Sequence, residues 1–232
     1  MQKPIHSQAR IISRQTADEG GKYLEVRLET ETAVTYLPGQ YLNVVLDGHR
    51  RSFSIVSLPD ELPIIQLLIE RLHGGLASRY FDEVPLATAV EIIYPFGRLV
   101  PQIEKATHHV LVGTGSGIAS LRPIADWLVR NTEHSVQLLW GLRYRQNIFW
   151  KDWLAELQSS RKTISAAITL TQPDDRWEGL RGRVTEHIST LQLSDHVAVY
   201  LCGGKPMLDD MRQLLKERGV FASQILTEQF HL

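Results

Sequence analysis

The chain reads as two domains, an N-terminal antiparallel β-barrel followed by an α/β domain built on a parallel sheet. Three observations predict this. Short segments of alternating apolar and polar residues, set off by Pro and Gly, fill the first hundred positions. A compact apolar run, Val110-Leu111-Val112, then enters the glycine-rich stretch Gly113-Thr114-Gly115-Ser116-Gly117. From there strand-like and helix-like segments alternate to the C-terminus, the pattern of a parallel sheet covered on both faces. The expected boundaries are 1–100 and 101–232, with 100–106 as the linker.

Taken in order, residues 23–30 alternate Leu24, Val26 and Leu28 against Glu25, Arg27 and Glu29, the period of a half-buried strand. Leu37-Pro38-Gly39-Gln40 is a turn leading into an apolar strand at 41–46, and Asp47-Gly48 is a hairpin signal. Strands are expected at 53–57, 64–71 and 90–94, with one short helix at 76–83. In the second half, strands are expected at 110–112, 136–140, 164–170, 197–201 and 225–230. Helices are expected at 118–130 and 148–157, and from Pro206 to 218, where Gly219 marks the stop. His108-His109 reads as a solvated loop before the apolar run, and Trp150 and Trp153 as packing residues of their helix.

Composition removes several classes of function. The 232 residues carry a formal net charge of −1 with charges of both signs interspersed, so no basic face points to nucleic acid. A single cysteine, Cys202, excludes an intramolecular disulfide and a cysteine-ligated zinc or iron–sulfur site, and no metal-ligand spacing stands out among the nine His. The first ten residues lack the apolar core of a signal peptide, and no segment approaches a membrane span of roughly 20 apolar residues. A cytoplasmic protein is the expectation.

The glycines of Gly113-Thr114-Gly115-Ser116-Gly117 let backbone N–H groups approach a pyrophosphate, and the helix that follows favours its charge. The spacing differs from the common dehydrogenase fingerprint. Ile118 stands where the third glycine belongs, and the next strand ends Trp140-Gly141 without an acidic residue. Arg51-Ser52-Phe53-Ser54 offers a guanidinium, two hydroxyls and an aromatic ring, suited to a phosphate and a planar ring, although an exposed edge strand is the better account of these four residues taken alone. Gly74-Gly75-Leu76-Ala77-Ser78 is either a second anion-binding helix start or a plain glycine turn with a capping Ser. Taken alone, Cys202 is a small buried hydrophobe.

As an ordered set these motifs are more specific than any member. Leu37-Pro38-Gly39-Gln40-Tyr41, Arg51-Ser52-Phe53-Ser54, Gly74-Gly75 with Ser78, Tyr94-Pro95-Phe96-Gly97, the 113–117 loop and Cys202-Gly203-Gly204 together resemble the ferredoxin–NADP reductase superfamily. Within it the chain is most similar to bacterial NAD(P)H–flavin reductases and to oxygenase reductase components, over residues 11–230. The resemblance implies a flavin-binding barrel and an NAD(P)H-binding second domain. It implies that Arg51 pairs with flavin phosphate, Phe53 flanks the isoalloxazine ring and Ser54 hydrogen-bonds its central-ring nitrogen, with Ser52 a further cofactor-binding residue. Gly74, Gly75 and Ser78 match a second flavin-phosphate segment, which favours FAD, with FMN as the alternative. Gly113, Thr114, Gly115, Ser116 and Gly117 match the dinucleotide's pyrophosphate loop. Arg143 matches a position beside the adenosine ribose, and Cys202, Gly203, Gly204 and Met207 the motif near the nicotinamide, although the family more often has Pro where Gly204 stands. Phe230 is either a cover for the flavin or a strand-packing residue.

The implied activity is hydride transfer from NADH or NADPH to flavin, with Ser54 and Cys202 as the catalytic positions and electrons passing on to a separate ferredoxin or oxygenase component. The lone cysteine leaves no built-in iron–sulfur cluster. A free-flavin reductase that takes flavin as substrate is the alternative, and a non-catalytic nucleotide-binding regulatory subunit is a third reading.

Overall fold

The structure, a computed structural model, describes residues 3–32 and 34–229. Two six-stranded sheets frame it. The first is antiparallel and contains β1 (Ile5–Thr16), β2 (Tyr23–Thr30), β3 (Tyr41–Leu46), β4 (His49–Ser54), β5 (Ile64–Glu70) and β6 (Ala89–Phe96), in the order β4-β3-β6-β1-β2-β5. It curls until its edges meet, where Ile55 pairs with Leu67 and the Val56 N–H donates to the Gln66 carbonyl at 2.8 Å. Alternation drives the curl, because Leu24, Val26 and Leu28 of β2 face Leu42 and Val44 of β3 across one buried interior. Helix α1 (Leu76–Glu83) plugs this interior with Phe81, which is fully buried.

The strand expected at 53–57 lies earlier in the chain. Asp47 and Gly48 both take positive φ, forming a tight hairpin that places β4 opposite β3 over 49–54, with Leu46 paired to His49. β1 has no counterpart among the expected strands. Its inward positions include Ser7 and Ala9 as well as Ile11, and a register shift between Ile11 and Ser13 interrupts the alternation.

The second sheet is parallel throughout, in the order β10-β9-β8-β7-β11-β12. Its strands are β7 (His108–Thr114), β8 (Ser135–Leu142), β9 (Ile164–Leu170), β10 (Leu180–Arg181), β11 (Val197–Gly203) and β12 (Ile225–Gln229). Helices α2 (Ile118–Asn131) and α3 (Lys151–Ser160) cover one face. Helix α4 (Lys205–Glu217) covers the other with Leu208, Met211 and Leu215. Both faces are therefore buried, and all seven residues of β11 are inaccessible. The chain leaves β7 toward β8 on one side and returns to β11 on the other. That reversal opens a crevice at the carboxyl ends of β7 and β11. No helix among the described residues is long and apolar enough to cross a membrane.

Two local expectations need correcting. His108 and His109 do not form a solvated loop but belong to β7. The His109 ring is fully buried, with Nδ1 3.1 Å from the Tyr200 hydroxyl and Nε2 3.0 Å from His134 Nδ1. Burial lowers its pKa to about 4, so the ring is neutral and serves as a packing group. The helix expected at 148–157 begins at Lys151, because Trp150 takes a left-handed conformation (φ 54°, ψ 37°) that cannot continue a right-handed helix.

The two halves share an apolar core in which Tyr23, Val56, Leu68 and Leu99 pack with α2 and α3. Polar contacts cross the same boundary. Asn147 Nδ2 donates to Asp18 Oδ2 at 2.9 Å, the Gly20 N–H donates to the Gln146 carbonyl at 2.9 Å, and the Trp150 indole donates to Glu25. Gly39 sits where the two halves press closest. Its φ is +90°, and an added Cβ would lie 2.1 Å from the Leu99 carbonyl oxygen and 2.7 Å from Ile124 Cδ1. Gly39→Ala is expected to destabilise the fold by more than about 1 kcal/mol, through both backbone strain and overlap. Thermal unfolding of the variant beside Gly48→Ala, whose Cβ would meet nothing within 4 Å, checks this. Both variants force a side chain into a left-handed conformation in the folded state, but only Gly39→Ala carries the clash, so it should melt at the lower temperature.

Candidate functional site

The crevice at the ends of β7 and β11 is where the expected residues of the second domain gather. Cys202 is in register with Gly113 across the β7–β11 pair, so the ends of both strands arrive together. The 113–117 loop turns directly into α2. Gly117 is the position that admits no side chain. A Cβ there would lie 2.3 Å from the Cys202 carbonyl oxygen. The loop is anchored from beneath by the Trp140 indole N–H, which donates to the Gly115 carbonyl at 3.0 Å.

In front of this loop lies a cavity of about 370 Å³, lined by Thr114, Gly115, Arg143, Gly204 and Met207 among others. Arg143 is exposed at its rim, held over the Tyr144 ring and donating to Gln172 at 3.2 Å. A second opening shares Arg143 and Arg183 and adds Gln172 and Glu186. Arg145, two residues further on, donates from Nε to Asp174 Oδ2 at 2.7 Å. Gly204 is the N-cap of α4, with Pro206 in the first turn. Pro or Gly can take its extended conformation (φ −70°, ψ 150°).

The barrel contributes a second group. Along β4, Arg51 and Ser52 are exposed and Phe53 half-buried, whereas Ser54 is 2% exposed. The Ser52 hydroxyl donates to Asn43 at 2.7 Å. Phe53 meets Phe81 of α1 edge-on at 5.9 Å, which fixes β4 against the helix that begins after Gly74-Gly75. The loop at 71–75 and the start of α1 border an open cavity of about 500 Å³ with Arg71 and Arg79 on its walls. Ser78 belongs to this segment, but its hydroxyl is engaged internally, accepting from the Leu72 N–H at 2.9 Å and donating to the Glu70 carbonyl at 3.2 Å. The Leu37–Tyr41 and Tyr94–Gly97 motifs close the wall. Gln40 Nε2 donates to the Gly97 carbonyl at 3.1 Å, and the Tyr41 and Phe96 rings stack at 5.5 Å.

The two groups meet at one hydroxyl. Ser120, fully buried in the first turn of α2, lies 2.7 Å from Ser54 Oγ and accepts from the Cys202 thiol at 3.4 Å. Burial pushes the Cys202 thiol up to about 12, so it remains protonated and does not serve as a nucleophile. Sequence reading placed Ser54 and Cys202 in the site but missed Ser120. Its only sequence signal is a hydroxyl on an otherwise apolar helix face. Glu228 of β12 was also missed. Its carboxylate lies 3.4 Å from where a Gly97 side chain would begin, and burial raises its pKa to about 7. Phe230 lies outside the described residues.

Two family models match the chain. The oxidoreductase FAD-binding domain matches residues 8–100 and the oxidoreductase NAD-binding domain residues 111–213. The chain is 28% identical to the phenol hydroxylase P5 protein of Acinetobacter pittii, over 88% of its own length and 60% of that protein's. It is 26% identical to ferredoxin–NADP reductase B of Sorangium cellulosum, over 96% of this chain and 97% of the relative. The chain thus spans about three fifths of one relative and nearly all of the other. Among solved structures, the Amycolatopsis cytochrome P450 reductase superposes with a TM-score of 0.90 at 23% identity, covering 98% of this chain and 70% of that one. A ferredoxin NADP+ reductase from Neisseria gonorrhoeae, solved with bound FAD and NADP, gives 0.83 at 18% identity, covering 99% of each chain. These last two establish the fold.

The Glu228 carboxyl generates a pH prediction. Its pKa is raised in the folded state from 4.5 to about 7, so the folded protein binds the proton more tightly than the unfolded chain does. Its contribution therefore falls as pH rises from about 4.5 to about 7 and is a constant penalty above that. Glu228→Gln should be more stable than wild type at pH 8, by roughly 1–2 kcal/mol once partial solvent exposure is allowed for, and equal to it near pH 4. Denaturant unfolding of both proteins across this range checks it; parallel pH profiles would show that the carboxyl is not desolvated.

Proposed function

Because the chain belongs to the ferredoxin–NADP reductase superfamily, carrying its FAD-binding and NAD-binding domains in that order, we propose that it is an NAD(P)H-dependent flavin oxidoreductase that delivers electrons to a separate ferredoxin or oxygenase component. The observation that carries this reading is the Ser54–Ser120–Cys202 junction, where the barrel strand and the end of β11 converge on one buried hydroxyl. Only such convergence lets a ring held by the barrel and a ring held by the parallel sheet face each other.

Bound flavin supplies the redox chemistry, accepting hydride from the reduced nicotinamide and releasing electrons to the acceptor. The protein's task is alignment. Ser54 can turn its hydroxyl from Ser120 to a ring nitrogen. Cys202, uncharged at neutral pH and fully buried, supports Gly203 at the end of β11, beyond which Gly204 and Met207 line the cavity. Arg51, Ser52 and Phe53, together with the 74–78 segment and its cavity, suit a flavin bearing phosphate, and the extra phosphate site there favours FAD over FMN. The 113–117 loop takes the pyrophosphate of the dinucleotide, and Arg143 its adenosine half. The presence of Arg143 and Arg183 at the rim leaves room for NADPH as well as NADH.

A free-flavin reductase is the second reading, and the exposure of Arg51 and Ser52 on an open strand favours it. Purification separates the two. A yellow protein bleached anaerobically by NADH or NADPH supports bound flavin. A colourless protein that turns over added flavin supports the alternative, and one that does neither contradicts both. In the first case Ser54→Ala should slow flavin reduction by about tenfold or more, with flavin affinity changed far less, as expected for a hydrogen bond that matters mainly at the reacting ring. An unchanged reduction rate in rapid mixing would remove Ser54 from that role.

A further inference from the structure

The pyrophosphate loop of the second domain is already in contact with an anion, and that anion belongs to the barrel. The Ser116 hydroxyl donates to Glu70 Oε2 at 2.7 Å across the domain boundary. The other oxygen, Oε1, lies 3.0 Å from the Lys22 ammonium. Glu70 ends β5 and pairs with Tyr23 at the start of β2, and the Arg71 N–H donates to the Lys22 carbonyl at 2.8 Å, so backbone register fixes both side chains. The Glu70 side chain is only 15% exposed, whereas Lys22 is 41% exposed. Lys22 also lines the same 370 Å³ cavity as Thr114 and Gly115.

We propose that Lys22 is a pyrophosphate-binding residue supplied by the barrel, and that Glu70 is a built-in competitor which holds Lys22 and the Ser116 hydroxyl until the dinucleotide arrives. This rests on reading the 113–117 loop as the dinucleotide's site. A carboxylate on a loop suited to a diphosphate resembles the ligand in charge and in the donors it takes. Entry of the diphosphate transfers one ammonium and one hydroxyl from Glu70 to phosphate oxygens. Their gain is offset by loss of the Glu70 contacts and by repulsion between its carboxylate and the ligand. Removing the ammonium therefore weakens binding, and removing the carboxylate's charge strengthens it. Because Lys22 and Glu70 are on the barrel and Ser116 on the other half, the exchange also makes dinucleotide binding sense how the two domains are seated.

The test is calorimetric titration of the flavin-loaded protein with ADP-ribose, which keeps the diphosphate and lacks the nicotinamide, and with adenosine, which has no phosphate. Lys22→Met should weaken ADP-ribose by about tenfold, the scale of one charged hydrogen bond, and leave adenosine unchanged. Lys22→Arg should restore most of the loss. Glu70→Gln should tighten ADP-ribose by about threefold, again without effect on adenosine. Wild-type binding with an unchanged Lys22→Met, or with an unchanged or weakened Glu70→Gln, overturns this inference alone. Wild-type protein that does not bind ADP-ribose overturns the dinucleotide-site reading, and the inference with it.

Discussion

The buried hydroxyl of Ser120 is the point on which the arrangement of the two halves depends. It is 2.7 Å from Ser54 of the barrel and accepts from Cys202 of the parallel sheet, and all three side chains are withdrawn from water. A buried hydroxyl without a partner costs about 1–3 kcal/mol, so a shift of α2 away from β4 is opposed by the groups it would orphan. The same seating is enforced at other points of the boundary, by Asp18 with Asn147 and by Glu25 with the Trp150 indole. Apolar packing of Tyr23 against Phe149, with ring centroids 4.7 Å apart, fills the space between them. Directional polar contacts permit one orientation where apolar packing alone would tolerate several.

With the halves seated, the rest of the site follows from strand ends. β7 and β11 finish side by side, so the 113–117 loop and Cys202-Gly203-Gly204 border one crevice. β5 finishes beside β2, which carries Glu70 and Lys22 to the lip of that crevice from the barrel side. The crevice is thus built by both domains. The walls of its cavity carry Lys22, Arg143 and Arg183 beside small residues such as Gly115, Gly141 and Gly204, and the protonated Cys202 thiol is buried behind the strand end.

Much of this was legible in the chain. The apolar alternation of β2 and the strand–helix alternation of the second half identified two kinds of sheet. The strand expected at 53–57 lies a few residues earlier, because the Asp47-Gly48 turn starts the returning strand at once, so that Arg51–Ser54 ends β4. β1 was hidden because its inward face uses Ser7 and Ala9 and its alternation breaks at a bulge. His109 was misread because a histidine pair looks solvated until a stacked His134 and the Tyr200 hydroxyl are placed around it. Glu70 and Lys22 carry no local signal, and Ser120 only that of a hydroxyl on an otherwise apolar helix face. Their importance arises from which strand ends the fold brings together, and that is a long-range property.

The central claim is that a flavin-holding half and a nicotinamide-holding half of one chain meet at the Ser54–Ser120–Cys202 junction, so that hydride passes within a single molecule. The most direct test is anaerobic rapid mixing of the flavin-loaded protein with saturating NADH or NADPH, unlabelled and deuterated at the transferred position, at several protein concentrations. The account predicts flavin bleaching that slows on deuteration and whose rate constant does not vary with protein concentration. A rate constant that rises with protein concentration, or bleaching that fails with both dinucleotides, would contradict it.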